Sequence, residues 1–158
     1  MRKIALLAVA TLLACALPTE GATAQEDGTG ERLLEAAEGL QMPSSEADSA
    51  WYLVSYAGVD ELPDAESFGV MSGCPRAGTT RQDFDETLAR LSEVEPWMDE
   101  GQVRSARGFR KLGKTFRHAL GEDLAVYRCE DGGPEVGIYF VGAADGRLTG
   151  LKTISIET

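Results

Sequence analysis

The sequence predicts an α+β domain, an α/β/α sandwich with a largely antiparallel C-terminal sheet covered by helices. Three observations carry this reading. Residues 124–156 hold three apolar segments joined by turn-forming sequences, the pattern of an antiparallel meander. Residues 99–120 hold one long stretch with apolar residues at helical spacing. Between them and the N-terminal region, short helix-like and strand-like patterns alternate with polar turns, with no internal repeat and no second core-forming block.

The elements follow in order. Thr29 is placed to cap a helix through about Leu40, with Leu33, Leu34, Ala37 and Leu40 at helical spacing and Gly39 near its end. Residues 43–49 form a polar loop with strong turn chemistry. Residues 51–57 read as a strand. Pro63 and Asp64 open a short helix to about Met71. Residues 73–82 contain Cys74, Pro75 and Gly78 and read as a loop with at most a short strand. Asp83 caps a helix to about Leu91, and residues 92–97 form another loop. Asp99 starts the longest helix, which runs to Leu120 with Val103, Ala106, Phe109, Leu112 and Phe116 as its apolar stripe; Gly121 stops it.

Three strands close the chain, at residues 124–129, 136–141 and 148–156. The first two are joined through Asp131-Gly132-Gly133-Pro134 and the last two through Asp145-Gly146, a hairpin signal. In the last strand Leu148, Ile154 and Ile156 share one parity, and Thr153, Ser155 and Glu157 share the other. That is the period-2 pattern of a strand half-buried on its apolar side. The strand runs to the final residue, so it holds the α-carboxylate of Thr158 in a fixed place beside Glu157. A carboxylate fixed in this way can reach a cation in another protein's active site; the alternative, an ordinary closing strand, has the same pattern.

The first residues read as a targeting segment. Arg2 and Lys3 precede an apolar run from residue 4 to 17, and Ala22-Thr23-Ala24 is a small-residue cleavage site. Residues 1–24 are therefore expected to be a secretory signal peptide, too short to span a membrane. The competing reading is a lipobox, Leu12-Leu13-Ala14-Cys15, which would leave Cys15 acylated. Cleavage after Ala24 leaves 134 of the 158 residues. These divide into a flexible leader, residues 25–30, and a single domain, residues 31–158. The expected location is periplasmic or secreted. There Cys74 and Cys129, the two cysteines that remain, read as a disulfide. It would close a loop of 56 residues, worth about 4 kcal/mol on the chain-entropy model. The competing role of a thiol nucleophile would have to use His118, the only histidine, on the charged helix.

A net charge of −11 repels nucleic acid and anionic membranes and favours basic partners. Arg104, Arg107, Arg110, Lys111, Lys114 and Arg117 cover the polar side of the long helix. They read either as a nucleic-acid surface or, on so acidic a chain, as a solvated face pairing with nearby carboxylates. Searches for enzyme chemistry fail. The chain has no glycine-rich phosphate loop, no histidine pair for a metal and no second histidine for a catalytic triad. Glu46 with Asp48, and Glu130 with Asp131, are carboxylate pairs of the kind that acid–base catalysis uses, but 26 acidic residues produce such pairs by chance. What remains are two loops. Ser44-Ser45-Glu46-Ala47-Asp48 displays two carboxylates among hydroxyls. Trp97, between Glu95-Pro96 and Met98, is either an interface anchor or a plug for the core beside the long helix.

Several stretches together resemble the nuclease A inhibitor family, small acidic proteins that block a DNA/RNA-non-specific, magnesium-dependent endonuclease with a ββα-metal site. They are Leu33-Leu34-Glu35-Ala36-Ala37-Glu38-Gly39-Leu40, Ser45-Glu46-Ala47-Asp48, Phe109-Arg110-Lys111-Leu112, Val126-Tyr127-Arg128, Tyr139-Phe140-Val141-Gly142, Gly150-Leu151-Lys152-Thr153 and the terminal Glu157-Thr158. The resemblance covers nearly the whole chain after the signal peptide and implies an α/β/α sandwich. It implies that Glu46 and the Thr158 carboxylate reach the nuclease's magnesium through bound water, and that Trp97 contacts the enzyme. Glu95 stands where the family has a contacting glutamine, and Asp48 and Glu157 adjoin the two expected magnesium-facing groups. The partner supplies the magnesium, so no cofactor or intrinsic metal is expected. The expected complex is one monomer with one secreted or periplasmic nuclease, without direct contact to nucleic acid. The signal peptide, the cysteine pair and longer segments around Ser44-Ser45 and at residues 130–135 depart from the family pattern. The competing readings are an extracytoplasmic protein-binding module with a non-nuclease partner, and a small carboxylate-dependent hydrolase.

Overall fold

The computed structural model describes residues 28–43 and 45–157. The signal peptide, the Cys15 alternative, residues 25–27 of the leader, Ser44 and Thr158 lie outside the described residues. The described elements are α1 (Thr29–Ala37), β1 (Tyr52–Ala57), α2 (Ala65–Ser72), a short 3₁₀ turn (Arg76–Gly78), β2 (Thr79–Asp83), α3 (Phe84–Leu91), α4 (Glu100–Leu120), β3 (Leu124–Glu130), β4 (Glu135–Ala144) and β5 (Arg147–Ile156). The strands form one antiparallel sheet in the order β1-β5-β4-β3-β2. The β3–β4–β5 meander is its centre, and β1 and β2 are its edges. Asp145 and Gly146 turn the last hairpin with φ of 52° and 70°, both in the left-handed region that a tight two-residue turn requires.

Each face of the sheet carries a core. On one face Val136, Ile138, Phe140, Val126 and Leu151 pack beneath Leu33 of α1, Phe84 and Leu88 of α3, and Phe109, Leu112 and Phe116 of α4. On the other, Tyr127, Tyr139, Val141 and Leu148 pack against Phe68 of α2. The α/β/α sandwich expected from the sequence is thus the observed architecture. Phe68 is the centre of the second core, stacked on Tyr127 with ring centroids 3.9 Å apart. The Cys74–Cys129 disulfide closes that core from the side, with Cα atoms 5.7 Å apart, inside the range a disulfide spans.

Helix starts follow the sequence closely. The Asp64 carboxylate accepts the Ser67 N–H at 2.7 Å and the Asp83 carboxylate accepts the Glu86 N–H at 2.8 Å. Asp99 and Gln102 form a reciprocal capping box at 2.8 and 2.9 Å. The first helix departs from expectation. Gly28, with φ of 65°, is its N-cap, and Thr29 is the first helical residue and is buried. Thr29 and Gly30 therefore belong to the helix and not to a flexible leader, and α1 ends at Ala37 instead of near Leu40. Where the sequence predicts at most a short strand within residues 73–82, residues 79–83 form a five-residue strand, β2. It pairs only with β3, so an edge position allows it a sequence of polar residues without alternation.

The parity of β5 is also corrected. Leu148 is buried in the second core, but Ile154 and Ile156 on the same face are only half-buried. Thr153 and Ser155, on the opposite face, are 2% and 0% exposed. The reason is tertiary. α1 lies over β5 on the Thr153 side, whereas α2 packs over β2 and β3, leaving the far end of β5 uncovered on its isoleucine side. The Thr153 hydroxyl is accommodated by donating to the Ala50 carbonyl at 3.0 Å.

Candidate partner-binding surface

The Glu46 loop is built against the end of β5. The β1–β5 pairing begins at Tyr52↔Lys152, whereas β5 continues to Ile156. Four residues of β5 thus lack a strand neighbour on that side, and residues 45–50 run along them instead. The Glu46 N–H donates to the Ile156 carbonyl at 3.0 Å. The Ile156 N–H donates to Ser45 Oγ at 3.1 Å. Ser45 Oγ in turn donates to the Ala47 carbonyl at 2.6 Å and accepts the Ala47 N–H at 3.4 Å. The Ser45 N–H returns to the Met42 carbonyl at 3.0 Å. At the base of the loop the Trp51 indole N–H donates to the Leu40 carbonyl at 2.8 Å. Glu46 and Asp48 are both exposed on this frame.

The last described residue is held from the other side. The Glu157 N–H donates to the Pro134 carbonyl at 2.8 Å. Its carboxylate accepts Arg128 Nη1 and Nη2 at 3.3 and 2.8 Å, and Arg128 also reaches Glu130 at 3.2 Å. The fork to Glu157, working against partial burial, raises the guanidinium pKa above its ordinary value. Glu157 is therefore engaged within the protein. Thr158, the other half of the expected anionic tip, lies outside the described residues.

Glu95 and Trp97 sit on a separate loop before α4. Pro96 and Trp97 form the centre of a turn closed by the Met98 N–H donating to the Glu95 carbonyl at 3.1 Å. Glu95 is half-buried and Trp97 is 71% exposed. The plug beside the long helix is Trp51, whose ring lies 6.2 Å from Phe109 and 5.7 Å from Phe140; Trp97 has no such place. Beside Trp97 a shallow cavity of about 370 Å³ is lined by Met98, Glu100, Val103, Arg104 and Arg107. From this loop α4 passes Leu40 at Gly108 and ends with Leu120 beside Gly142. Gly142 pairs with Thr149, whereas Ile156 pairs with Glu135. The start of α4, with Trp97, therefore points toward the Ile156 end of the sheet.

Part of the basic face is internally paired. Arg117 pairs with Asp85 and Glu122, and Arg110 donates to the Ser92 carbonyl at 3.3 Å. Among the described residues no group of three or more His, Cys, Asp or Glu is placed to hold a metal ion, and no helix is long and apolar enough to cross a membrane. The residues that sequence reading missed are Ser45, Thr153 and Arg128, which position the expected ones. Hydroxyl-rich loops favour side-chain-to-backbone bonds, but the Ser45 partner is 111 residues away.

A model of the nuclease A inhibitor-like protein family matches residues 28–158, and the chain belongs to that family. No curated protein matches the chain. The family description points to inhibition of a nuclease, and so to a protein partner. The disulfide, with no membrane-crossing helix among the described residues, is compatible with an extracytoplasmic location.

Proposed function

We propose that this member of the nuclease A inhibitor-like family is a secreted or periplasmic inhibitor of a sugar-non-specific, magnesium-dependent nuclease, and that it blocks the enzyme's active site with carboxylates. The observation that carries the reading is the pairing of Glu46 with Ile156. It ties an exposed carboxylate to β5, two residues before Thr158 in the sequence, the residue expected to supply the second carboxylate.

The chemistry fits this arrangement. Magnesium is a hard cation that takes carboxylate oxygens and keeps several waters. A nuclease cleft is electropositive because it binds phosphodiesters, and carboxylates on a rigid tip imitate the charge of the scissile phosphate. The net charge of −11 speeds encounter with such a cleft. Trp97 supplies an exposed aromatic anchor, with Glu95 on the same turn. Asp48 adds negative charge beside Glu46, and Glu157, expected at the same interface, has its charge offset by Arg128. The partner contributes the magnesium, and the inhibitor itself performs no catalysis. Signal-peptide cleavage after Ala24 delivers the chain to a compartment where the disulfide forms.

The test is titration of the purified protein against a panel of ββα-metal nucleases, assayed on DNA and on RNA. The expected result is inhibition on both substrates that saturates at one inhibitor per enzyme. Undiminished activity of the whole panel at excess inhibitor would refute the proposal.

A further inference from the structure

We infer that Ser45 is a positioning residue, whose hydroxyl locks the loop to Ile156 and so sets where Glu46 presents its carboxylate. This rests on the inhibitory role of Glu46 proposed above.

The argument begins at the uncovered length of β5. Without β1 beside it, the Ile156 amide group needs other partners, because buried or half-buried backbone polar groups are almost always satisfied. The loop supplies both. The Ile156 carbonyl receives the Glu46 N–H at 3.0 Å and the Ile156 N–H goes to Ser45 Oγ at 3.1 Å. The pair imitates one rung of an antiparallel ladder, with a side-chain oxygen standing where a backbone carbonyl would be. A true strand would continue along β5. The serine substitute lets the backbone bend at residues 46 and 47, and residues 46–48 are exposed.

Ser45 is fully committed in this role. A hydroxyl has one hydrogen to give and two lone pairs to offer. The hydrogen goes to the Ala47 carbonyl, and the lone pairs receive the Ala47 and Ile156 N–H groups. Three bonds from one atom thus enclose Glu46 between fixed neighbours, residues 45 and 47. Alanine at this position keeps the Glu46 N–H bond to Ile156 but removes all three others. The loop then samples orientations in which Glu46 does not face the partner. The apparent affinity is then multiplied by the fraction of time the loop still presents Glu46 to the partner, a loss that a preorganised loop avoids.

The experiment measures inhibition constants for wild type, Ser45→Ala, Ser45→Thr, Glu46→Gln and the Ser45→Ala/Glu46→Gln double variant, with hydrogen exchange at the Ile156 amide alongside. Ser45→Ala is expected to raise the inhibition constant about tenfold, with a melting temperature close to that of wild type and faster exchange at Ile156. Ser45→Thr, which keeps the hydroxyl, is expected to restore both. In the Glu46→Gln background the Ser45→Ala change is expected to have about no further effect, because a residue that acts only through Glu46 has nothing left to position. An unchanged inhibition constant for Ser45→Ala overturns the inference, as does a full tenfold loss in the Glu46→Gln background. If wild type inhibits no nuclease, the proposed function fails separately. The lock is then judged by exchange: faster exchange at Ile156 in Ser45→Ala sustains it, and unchanged exchange overturns it.

Discussion

Two segments are tied sideways onto the sheet, by opposite means. After α2, Cys74 is joined covalently to Cys129 of β3, against the aromatic cluster of Phe68, Tyr127 and Tyr139. Before β1, residues 45–50 are held to β5 by hydrogen bonds and carry exposed carboxylates. The first segment covers apolar surface, where a cross-link restricts the unfolded chain and leaves the packing to direct itself. The second has little apolar surface to cover and a charge to aim, which directional bonds do and non-directional burial does not. The difference separates a segment that covers a core from one that presents charge, the end to which the proposed function assigns recognition.

The largest test of that separation is removal of the disulfide. Replacing both Cys74 and Cys129 with serine is expected to cost about 4 kcal/mol of stability on the chain-entropy model, read from denaturant unfolding. The remaining folded protein is expected to inhibit as wild type does. A loss of inhibition larger than the unfolded fraction explains would show that the two regions are coupled. The reciprocal change is Glu46→Gln, expected to weaken the complex by about 2–4 kcal/mol while the unfolding curve stays within about 0.5 kcal/mol of wild type. Deletion of Thr158 is expected to act alike, because the terminal carboxylate then moves back to residue 157, whose N–H is tied to the Pro134 carbonyl. Inhibition constants and unfolding curves on the same samples check both.

Trp97→Ala sharpens the contrast within one residue type. Its exposure predicts a loss of about 2 kcal/mol in binding with little change in melting temperature. Trp51→Ala removes a ring packed on Phe109 and Phe140 and is expected to cost about 3 kcal/mol or more of stability. Calorimetry of the free proteins and of the complexes separates the two outcomes.

The smallest effect is silent at neutral pH. Burial pushes the Tyr127 hydroxyl up to about 12, and that hydroxyl donates to the Pro63 carbonyl at 2.5 Å. A native value above the ordinary value of about 10 means that the stabilisation is complete below pH 10. It is lost as pH climbs toward 12. Tyr127→Phe is expected to remove this part of the alkaline decline, followed by circular dichroism against pH. A decline of equal size and midpoint in the variant would assign it to other groups.

The sequence by itself determined the long helix, the meander, the aspartate caps of α2, α3 and α4 and the Asp145-Gly146 turn, because each rests on residues within a few positions of one another. It also marked Cys74 and Cys129 as the pair to join, since the expected loss of the signal peptide leaves no third cysteine. Only the tertiary structure decided the strand at residues 79–83, whose polar sequence is permitted by an edge position that local pattern does not reveal. Only the tertiary structure decided which face of β5 is buried, because α1 covers the Thr153 side while α2 stops short of Ile154 and Ile156 on the other. It likewise assigned core and surface between Trp51 and Trp97, which are equally apolar as residues. And it alone brought Ser45 to Ile156. A hydrogen bond between residues so distant in sequence exists because β5 outruns β1, and strand length relative to a neighbour is a property of the folded sheet.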